Sequence, residues 1–371
     1  MKKHFSLIIL ISLTFIGCNH KSQKLPFDNS IQKEHTLIKG KVNNWHTDTI
    51  YMATLPFHSP FSTIDRYMIL DSDKRFEFAF NGIEKPFILC LTPERKFLDH
   101  RSFLLFECFT EEYYKGYCKN FFTMPMSTYI IEPNTETIVE LNKDGRYGET
   151  EIYFLNDNSY SSKYYQTTFS IDQNFDEILT HSTVVDSTII TETINKFENM
   201  ITEQLEKLDQ NELFISPFVF KYVRAEIIFG AKKELLRDLM LDNAEYASNL
   251  LKSDIPDNLI KMIEFDRNEF DYATLISQEY NEFIELYLNF KNSVNNKKLI
   301  VYMSFNTEKY DLADKELPNL AKYYYLANNL LFANCNEESF KLFKRLLDEY
   351  PAGELNDKLL EKYKITVGNR Q

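Results

Sequence analysis

In residues 35–155, apolar and polar residues alternate in short runs that turn residues interrupt. Phe76, Phe78 and Phe80 fall on one side of such a run, because successive side chains of a strand point to opposite faces. Further runs of this kind are residues 37–42, 48–53, 67–70, 86–91, 103–108, 128–131 and 137–141. Many short strands at this spacing predict an antiparallel β-sandwich or barrel-like domain over residues 35–155.

From about residue 175 the apolar residues recur every three or four positions, which is typical of helices. One such stripe consists of Ile190, Ile194, Phe197, Ile201, Leu205 and Leu208. Ser216 and Pro217 form a helix start, with a capping serine before a proline at the first helical position, and the helix is expected to run through Met240. A stripe from Phe270 to Phe290 and helices over 317–332 and 338–350 follow. The prediction is a helical domain of about six helices over residues 175–366, hence an α+β protein.

The amino terminus has the three-part build of a secretion signal: two lysines in residues 1–4, an apolar run over 5–16, then Gly17 and Cys18. The run is too short for a resident membrane-spanning helix. The string from Thr14 to Cys18 resembles a bacterial lipobox, which implies that residues 1–17 are a lipoprotein signal peptide and that Cys18 is lipidated. Residues 18–34 are then a tether. An ordinary cleaved signal and an uncleaved anchor are the alternatives.

Composition and charge narrow the range of partners. The chain of 371 residues carries 42 Lys and Arg against 55 Asp and Glu, and a net charge of −13 repels a nucleic-acid backbone. Only 9 glycines are present, so little material exists for a glycine-rich phosphate loop. We therefore expect no nucleic-acid partner, no nucleotide and no cofactor.

The segment order resembles that of Bacteroidetes lipoproteins with an N-terminal domain of unknown function 4369. Three segments carry the resemblance: the opening at 38–42, the hairpin at 73–78 and the closing turn and strand at 129–139. Lys74 and Asn134 stand where the family usually has glycine. In that family a helical spacer and a thioredoxin-like thiol-disulfide oxidoreductase domain commonly follow. The resemblance thus implies the non-catalytic N-terminal and helical parts of such proteins, without the thioredoxin domain.

No motif for thiol, metal or hydrolase chemistry is present. The sequence contains no C-x-x-C pair, no G-x-S-x-G motif and no histidine pair with metal-ligand spacing, so no metal is expected and no catalytic residue is assigned. Cys108 and Cys118 flank a polar stretch and could close a hairpin as a disulfide, although other pairings stay open. Cys90 and Cys335 are predicted to be small buried hydrophobic residues.

These observations favour a non-enzymatic lipoprotein of the cell envelope that acts as a binding or scaffold module. A protein partner in the envelope is expected. The tether lacks an acidic run of the kind associated with surface export, which favours an outer-membrane anchor facing the periplasm. One alternative is a partner subunit in periplasmic thiol-disulfide exchange, with the thioredoxin domain on a separate chain. A glycan-binding lipoprotein is a further alternative that the strand-rich first third argues against.

Overall fold

Strands occupy the first part of the chain and helices the second. The computed structural model describes residues 35–55, 66–81, 83–92, 127–143, 150–155, 185–242, 244–264 and 270–368. Within these ranges eight strands precede all of the helices. The α+β class predicted from the two periodicities is therefore confirmed.

The strands form two four-stranded sheets. Their bounds are β1 His35–Asn43, β2 Thr49–Leu55, β3 Arg66–Ile69, β4 Arg75–Asn81, β5 Phe87–Thr92, β6 Ser127–Ile131, β7 Glu136–Lys143 and β8 Thr150–Phe154. Sheet A has the order β4-β1-β7-β8, and sheet B has the order β3-β2-β5-β6. Strand β8 is an addition to the predicted set, and the predicted strand at 103–108 lies outside the described residues.

Sheet A is mixed, which corrects the expectation of antiparallel strands at one place. β1 pairs in parallel with β7, whereas the other strand pairs are antiparallel. Between β4 and β7 the chain forms the strands β5 and β6 of sheet B, and β7 then returns to sheet A beside β1 and in the same direction. Parallel pairing requires such a crossover. The short alternating runs in the sequence predict the strands but not the order in which the strands pair.

Alternation places one face of each sheet in a shared core. Strand β4 has the pattern predicted from its phenylalanines, with Phe76, Phe78 and Phe80 buried and the residues between them exposed. Side chains of both sheets belong to the same apolar cluster. Its buried members are Ile38, Val42, Trp45, Ile50, Met52, Leu70, Phe76, Phe78, Phe80, Phe87, Leu89, Leu91, Ile131, Val139 and Leu141.

In the two turns that carry the family resemblance, the residue at the usual glycine position adopts a left-handed backbone conformation although it is not glycine. Lys74 has a φ of 60° and Asn134 a φ of 59°. At the first turn the Asp71 carboxylate accepts hydrogen bonds from the backbone N–H groups of Asp73 at 2.9 Å and Arg75 at 2.8 Å. This side-chain bonding stabilises the turn that leads into β4.

The helical half contains ten α-helices in its described residues, more than the six expected. Their bounds are α1 Ser187–Asp209, α2 Pro217–Arg237, α3 Ala244–Lys252, α4 Asp257–Ile263, α5 Tyr272–Leu275, α6 Gln278–Asn296, α7 Thr307–Glu316, α8 Asn319–Phe332, α9 Glu337–Glu349 and α10 Asn356–Gly368. The helices α4 and α5 lack the two full turns that make an apolar stripe visible in a sequence, and α3 has only nine residues. Among the described residues no helix is long and apolar enough to cross a membrane.

Polar caps set the boundaries of the two central helices. The Ser216 hydroxyl accepts the N–H of Val219 at 3.2 Å and Pro217 opens α2, as predicted. The helix ends at Arg237 and a π-helical turn, Asp238–Asp242, follows it. The predicted stripe from Phe270 to Phe290 is divided between α5 and α6, because the Ser277 hydroxyl starts a new helix by accepting the N–H of Tyr280 at 3.1 Å.

The two halves contact each other through polar and apolar groups. Lys85 of the β domain lies 3.0 Å from both carboxylate oxygens of Glu354, and its ammonium lies 5.0 Å from the centre of the Tyr272 ring. The Tyr272 hydroxyl donates to the carbonyl of Pro86 at 3.4 Å. Ile130 of β6 is buried among residues of α2 and α5. The sheets and the helices therefore share a specific contact.

Gly40 in β1 has no room for a side chain. A Cβ there would lie 2.5 Å from the ring of Phe76 and 2.6 Å from the carbonyl oxygen of Val139. We expect Gly40→Ala to lower the free energy of unfolding by about 2 kcal/mol, because neither the buried ring nor the backbone oxygen can move aside easily. Denaturant unfolding measures this loss. Lys41→Ala is the control, and a change of less than about 0.5 kcal/mol is expected there; equal losses in the two variants would contradict the close contact.

Lys362 of α10 caps the carboxyl end of α8. Its ammonium donates to the carbonyls of Leu330 at 2.9 Å, Leu331 at 2.7 Å and Ala333 at 2.5 Å. These carbonyls have no partners within the helix, and a cation is favoured at that end. We expect Lys362→Met, which keeps the apolar stem, to cost about 1–3 kcal/mol of stability. Exposed Lys364→Met is the control, and a Lys362→Met protein as stable as this control would refute the capping role.

Candidate functional site

The outer face of sheet A is the surface of this sheet that points away from the shared core. Pairing registers place Glu77 of β4, Lys39 of β1 and Ile138 of β7 side by side across it. Leu155, immediately after β8, continues the row, because its N–H donates to the carbonyl of Ile138 at 2.9 Å. Residues of four different segments therefore meet in one row.

A groove runs over this outer face to the neighbouring edge strand β3 of sheet B. It has a volume of about 520 Å³ and is open to solvent. The lining combines basic, acidic and apolar groups and consists of Lys39, Gly40, Lys41, Met68, Ile69, Asp71, Arg75, Phe76, Glu77, Ile138, Val139 and Leu155. A shallow, chemically mixed groove suits an extended or flat partner better than an enclosed small molecule.

The charges of the outer face are arranged in pairs. Lys39 lies between Glu77 at 3.5 Å and Glu136 at 3.3 Å. A hydrogen bond with Glu136 raises the pKa of Lys39, so this side chain stays positively charged. Exposed pairs of this kind add little to stability, and their partners can therefore be exchanged at low cost. The outer face can offer both signs of charge to a bound protein.

Large apolar side chains lie exposed beside these charges. Ile69 is 70% exposed and Leu155 is 59% exposed, and both line the groove. Tyr67 and Tyr153 are exposed on the strands β3 and β8. Clustered apolar groups with a polar rim are typical of protein interaction sites, whereas single exposed apolar residues are ordinary. The outer face of sheet A is therefore the candidate functional site.

Two of the five cysteines lie among the described residues. Cys18, Cys108 and Cys118 lie outside the described residues, so lipidation and the disulfide stay predictions. Cys90 is in β5, opposite Ala53 of β2. Cys335 follows α8 and is half-buried against the apolar core of the helical half, in line with the prediction of a packing role.

The residues of the outer face were missed by the sequence reasoning. The alternation in β4 showed which side chains face the core. The residues between them, such as Glu77, therefore lie on the outer face of the sheet. Leu155 gave no such signal, because its place in the row depends on the sheet order and on the register of β8. Ile69 gave none either, because it lies on β3 of the other sheet and only the groove brings it to this face.

The described ranges contain no group of three or more His, Cys, Asp or Glu residues that could hold a metal ion. No protein-family model, no curated protein and no solved structure matches the chain. The candidate site therefore has to be interpreted from its own geometry.

Proposed function

We propose that this protein is a non-enzymatic binding or scaffold module that a lipid on Cys18 anchors in the cell envelope. The observation that carries the proposal is the groove on the outer face of sheet A, where exposed Ile69 and Leu155 flank paired charges. The expected partner is another envelope protein. The groove can therefore offer a partner both apolar and charged contacts, which protein interfaces combine.

A two-layer arrangement of the β domain supports this use of the outer face. We propose that sheets A and B form a sandwich, since inward side chains of both sheets belong to one core. In a sandwich each sheet keeps an outer face that no second layer covers. Such a face is available to a partner without any unfolding of the domain.

The anchor and the location rest on the sequence. The resemblance of residues 14–18 to a lipobox supports acylation of Cys18. Two or three acyl chains hold a protein on a membrane durably, because each buried methylene contributes about 0.8 kcal/mol. The family resemblance and the non-acidic tether support an outer-membrane anchor that faces the periplasm.

A photo-reactive amino acid placed in the full-length protein in living cells tests the binding surface. We expect crosslinked products from positions 69 and 155, because these side chains border the groove. Position 213 is the matched control, since Leu213 is 72% exposed but lies in the helical half. Products of equal yield from position 213, or none from 69 and 155, would contradict the proposed surface. Reduction of insulin by the purified protein alone would contradict the non-enzymatic role.

A substitution of the predicted lipid site tests the anchor. We expect Cys18→Ala to move the protein from the membrane fraction to the soluble fraction, because it removes the acyl chains. Mass spectrometry of the wild-type amino terminus should show acylation. Cys335→Ala is the control and should stay with the membrane. A wild-type protein with an unmodified Cys18 would refute the lipoprotein assignment.

A further inference from the structure

Helix α2 carries a carboxylate into the interior of the helical half. Glu226 is 5% exposed. Its Oε1 accepts the backbone N–H of Glu279 in the first turn of α6, at 3.3 Å. Its Oε2 is buried and makes no hydrogen bond of normal geometry to a described residue, although the nearby Ser277 hydroxyl acts to lower the pKa of Glu226. A buried ionised carboxylate without a paired cation is costly, whereas a protonated carboxyl group is tolerated much better.

Next to Glu226, the same two helices bring several charged side chains together. Lys233 of α2 has its ammonium 2.6 Å from Glu279, 3.1 Å from Glu282 and 3.3 Å from Glu234. Arg237 lies 2.5 Å from the second oxygen of Glu234. These ion pairs join the two cations to Glu234, Glu279 and Glu282 and leave out Glu226.

The exclusion of Glu226 from these ion pairs favours its protonated form. Its carboxylate makes no ion pair with Lys233 or Arg237, which contact Glu234, Glu279 and Glu282 instead. An ionised Glu226 would place a buried negative charge without a paired cation in an interior that disfavours it. Glu226 is therefore the group of this cluster that keeps a proton most firmly.

The pKa values of Glu226, Glu279 and Lys233 agree with this arrangement of ion pairs. Burial, together with the charge of Glu279, raises the pKa of Glu226 to about 8. Burial also raises the pKa of Glu279 to about 6, although the charge of Lys233 opposes this change. Burial lowers the pKa of Lys233, but the surrounding carboxylates outweigh it and raise the pKa well above its usual value, so the lysine stays charged.

We propose that the junction between α2 and the start of α6 is a proton-operated latch, in which protonated Glu226 holds the first turn of α6 against α2 and loss of that proton loosens it. The latch lies close to the contact between the two halves of the protein. Helix α5 directly precedes α6, and its Tyr272 contacts Pro86 and Lys85 of the β domain. Loosening the start of α6 therefore weakens the attachment of the β domain.

The other charged groups around the junction have partners of their own. Asp271, which caps α5, lies 2.9 Å from Lys221 of α2. Lys232 of α2 donates to the carbonyl of Glu264 at the end of α4, at 2.7 Å. Asp238 is buried in the π-helical turn beyond Arg237. A change in the proton count of the junction is therefore assigned to Glu226 and Glu279.

The direction of the pH effect follows from which state binds the proton more tightly. The folded state keeps the Glu226 proton up to about pH 8, whereas an unfolded glutamate loses it near pH 4.5. The folded state thus binds more protons in this window, and the stability of the junction falls as the pH rises through it. Each pH unit in the window raises the opening equilibrium about tenfold for one such proton.

Hydrogen exchange of the intact protein tests the latch. After correction for the intrinsic rate, we expect protection of the amides at 278–282 in the wild type to fall about tenfold per pH unit between about pH 6.5 and 7.5. Glu226→Gln mimics the protonated group and should remove this dependence. Glu245→Gln removes a charge from an exposed position of α3 and should leave it unchanged. A dependence that persists in Glu226→Gln, or that disappears in Glu245→Gln, overturns the proposal.

A measurement on the wild type covers the case in which Glu226→Gln does not fold. Infrared spectroscopy detects the carbonyl band of a protonated carboxyl group, and exposed carboxylates are ionised at neutral pH. We expect a buried carboxyl band at pH 7 that disappears above about pH 8–9, together with increased exchange of the amides at 86–91. Absence of the band at pH 7 overturns the proposal.

Discussion

Helix α2 packs against several other helices, and this packing constrains its charged side chains. The helix contacts α1, α4, α5, α6 and the π-helical turn, and more than half of its residues are buried. Lys221 still reaches solvent, since 59% of its side chain is exposed. A polar group at a buried position of the helix cannot do so, and it must therefore find a partner within the protein or remain neutral. The ion pairs of Lys233 and the unusual acidity of Glu226 are consequences of this one constraint.

The β domain differs from helix α2, because each of its sheets buries only one face. The inward residues of sheets A and B fill a common core, so the polar and apolar groups of the outer face are not needed for packing. A surface that the fold does not require can serve recognition. The proposed binding surface and the proposed latch thus lie in different halves of the protein. The contact around Tyr272 and Lys85 is the place where a change in one half reaches the other.

Long and regular patterns in the sequence were sufficient to predict most of the fold. The alternation around Phe78, the stripe from Ile190 to Leu208 and the cap at Ser216 each specify an element with local information alone. The parallel pairing of β1 with β7 depends on strands about a hundred residues apart, whereas β8 and the short helices have few residues in which a periodic pattern can be seen. The candidate site depends on pairing as well, since Leu155 joins the row only through the register of β8. The sequence shows Glu226 as a charged residue among the apolar positions of α2. It does not show which residues of α6 contact this side chain.

The central position of β1 in sheet A has a consequence for how the chain assembles during synthesis. This strand emerges first, yet it pairs with β4 and, about a hundred residues later, with β7. Sheet A is incomplete until both partners have been made, whereas the most extensive contact of the helical half joins α2 and α6, which lie closer together in the sequence than β1 and β7. The β domain therefore spends longer with unpaired strand edges, and its folding is the step most in need of protection from aggregation.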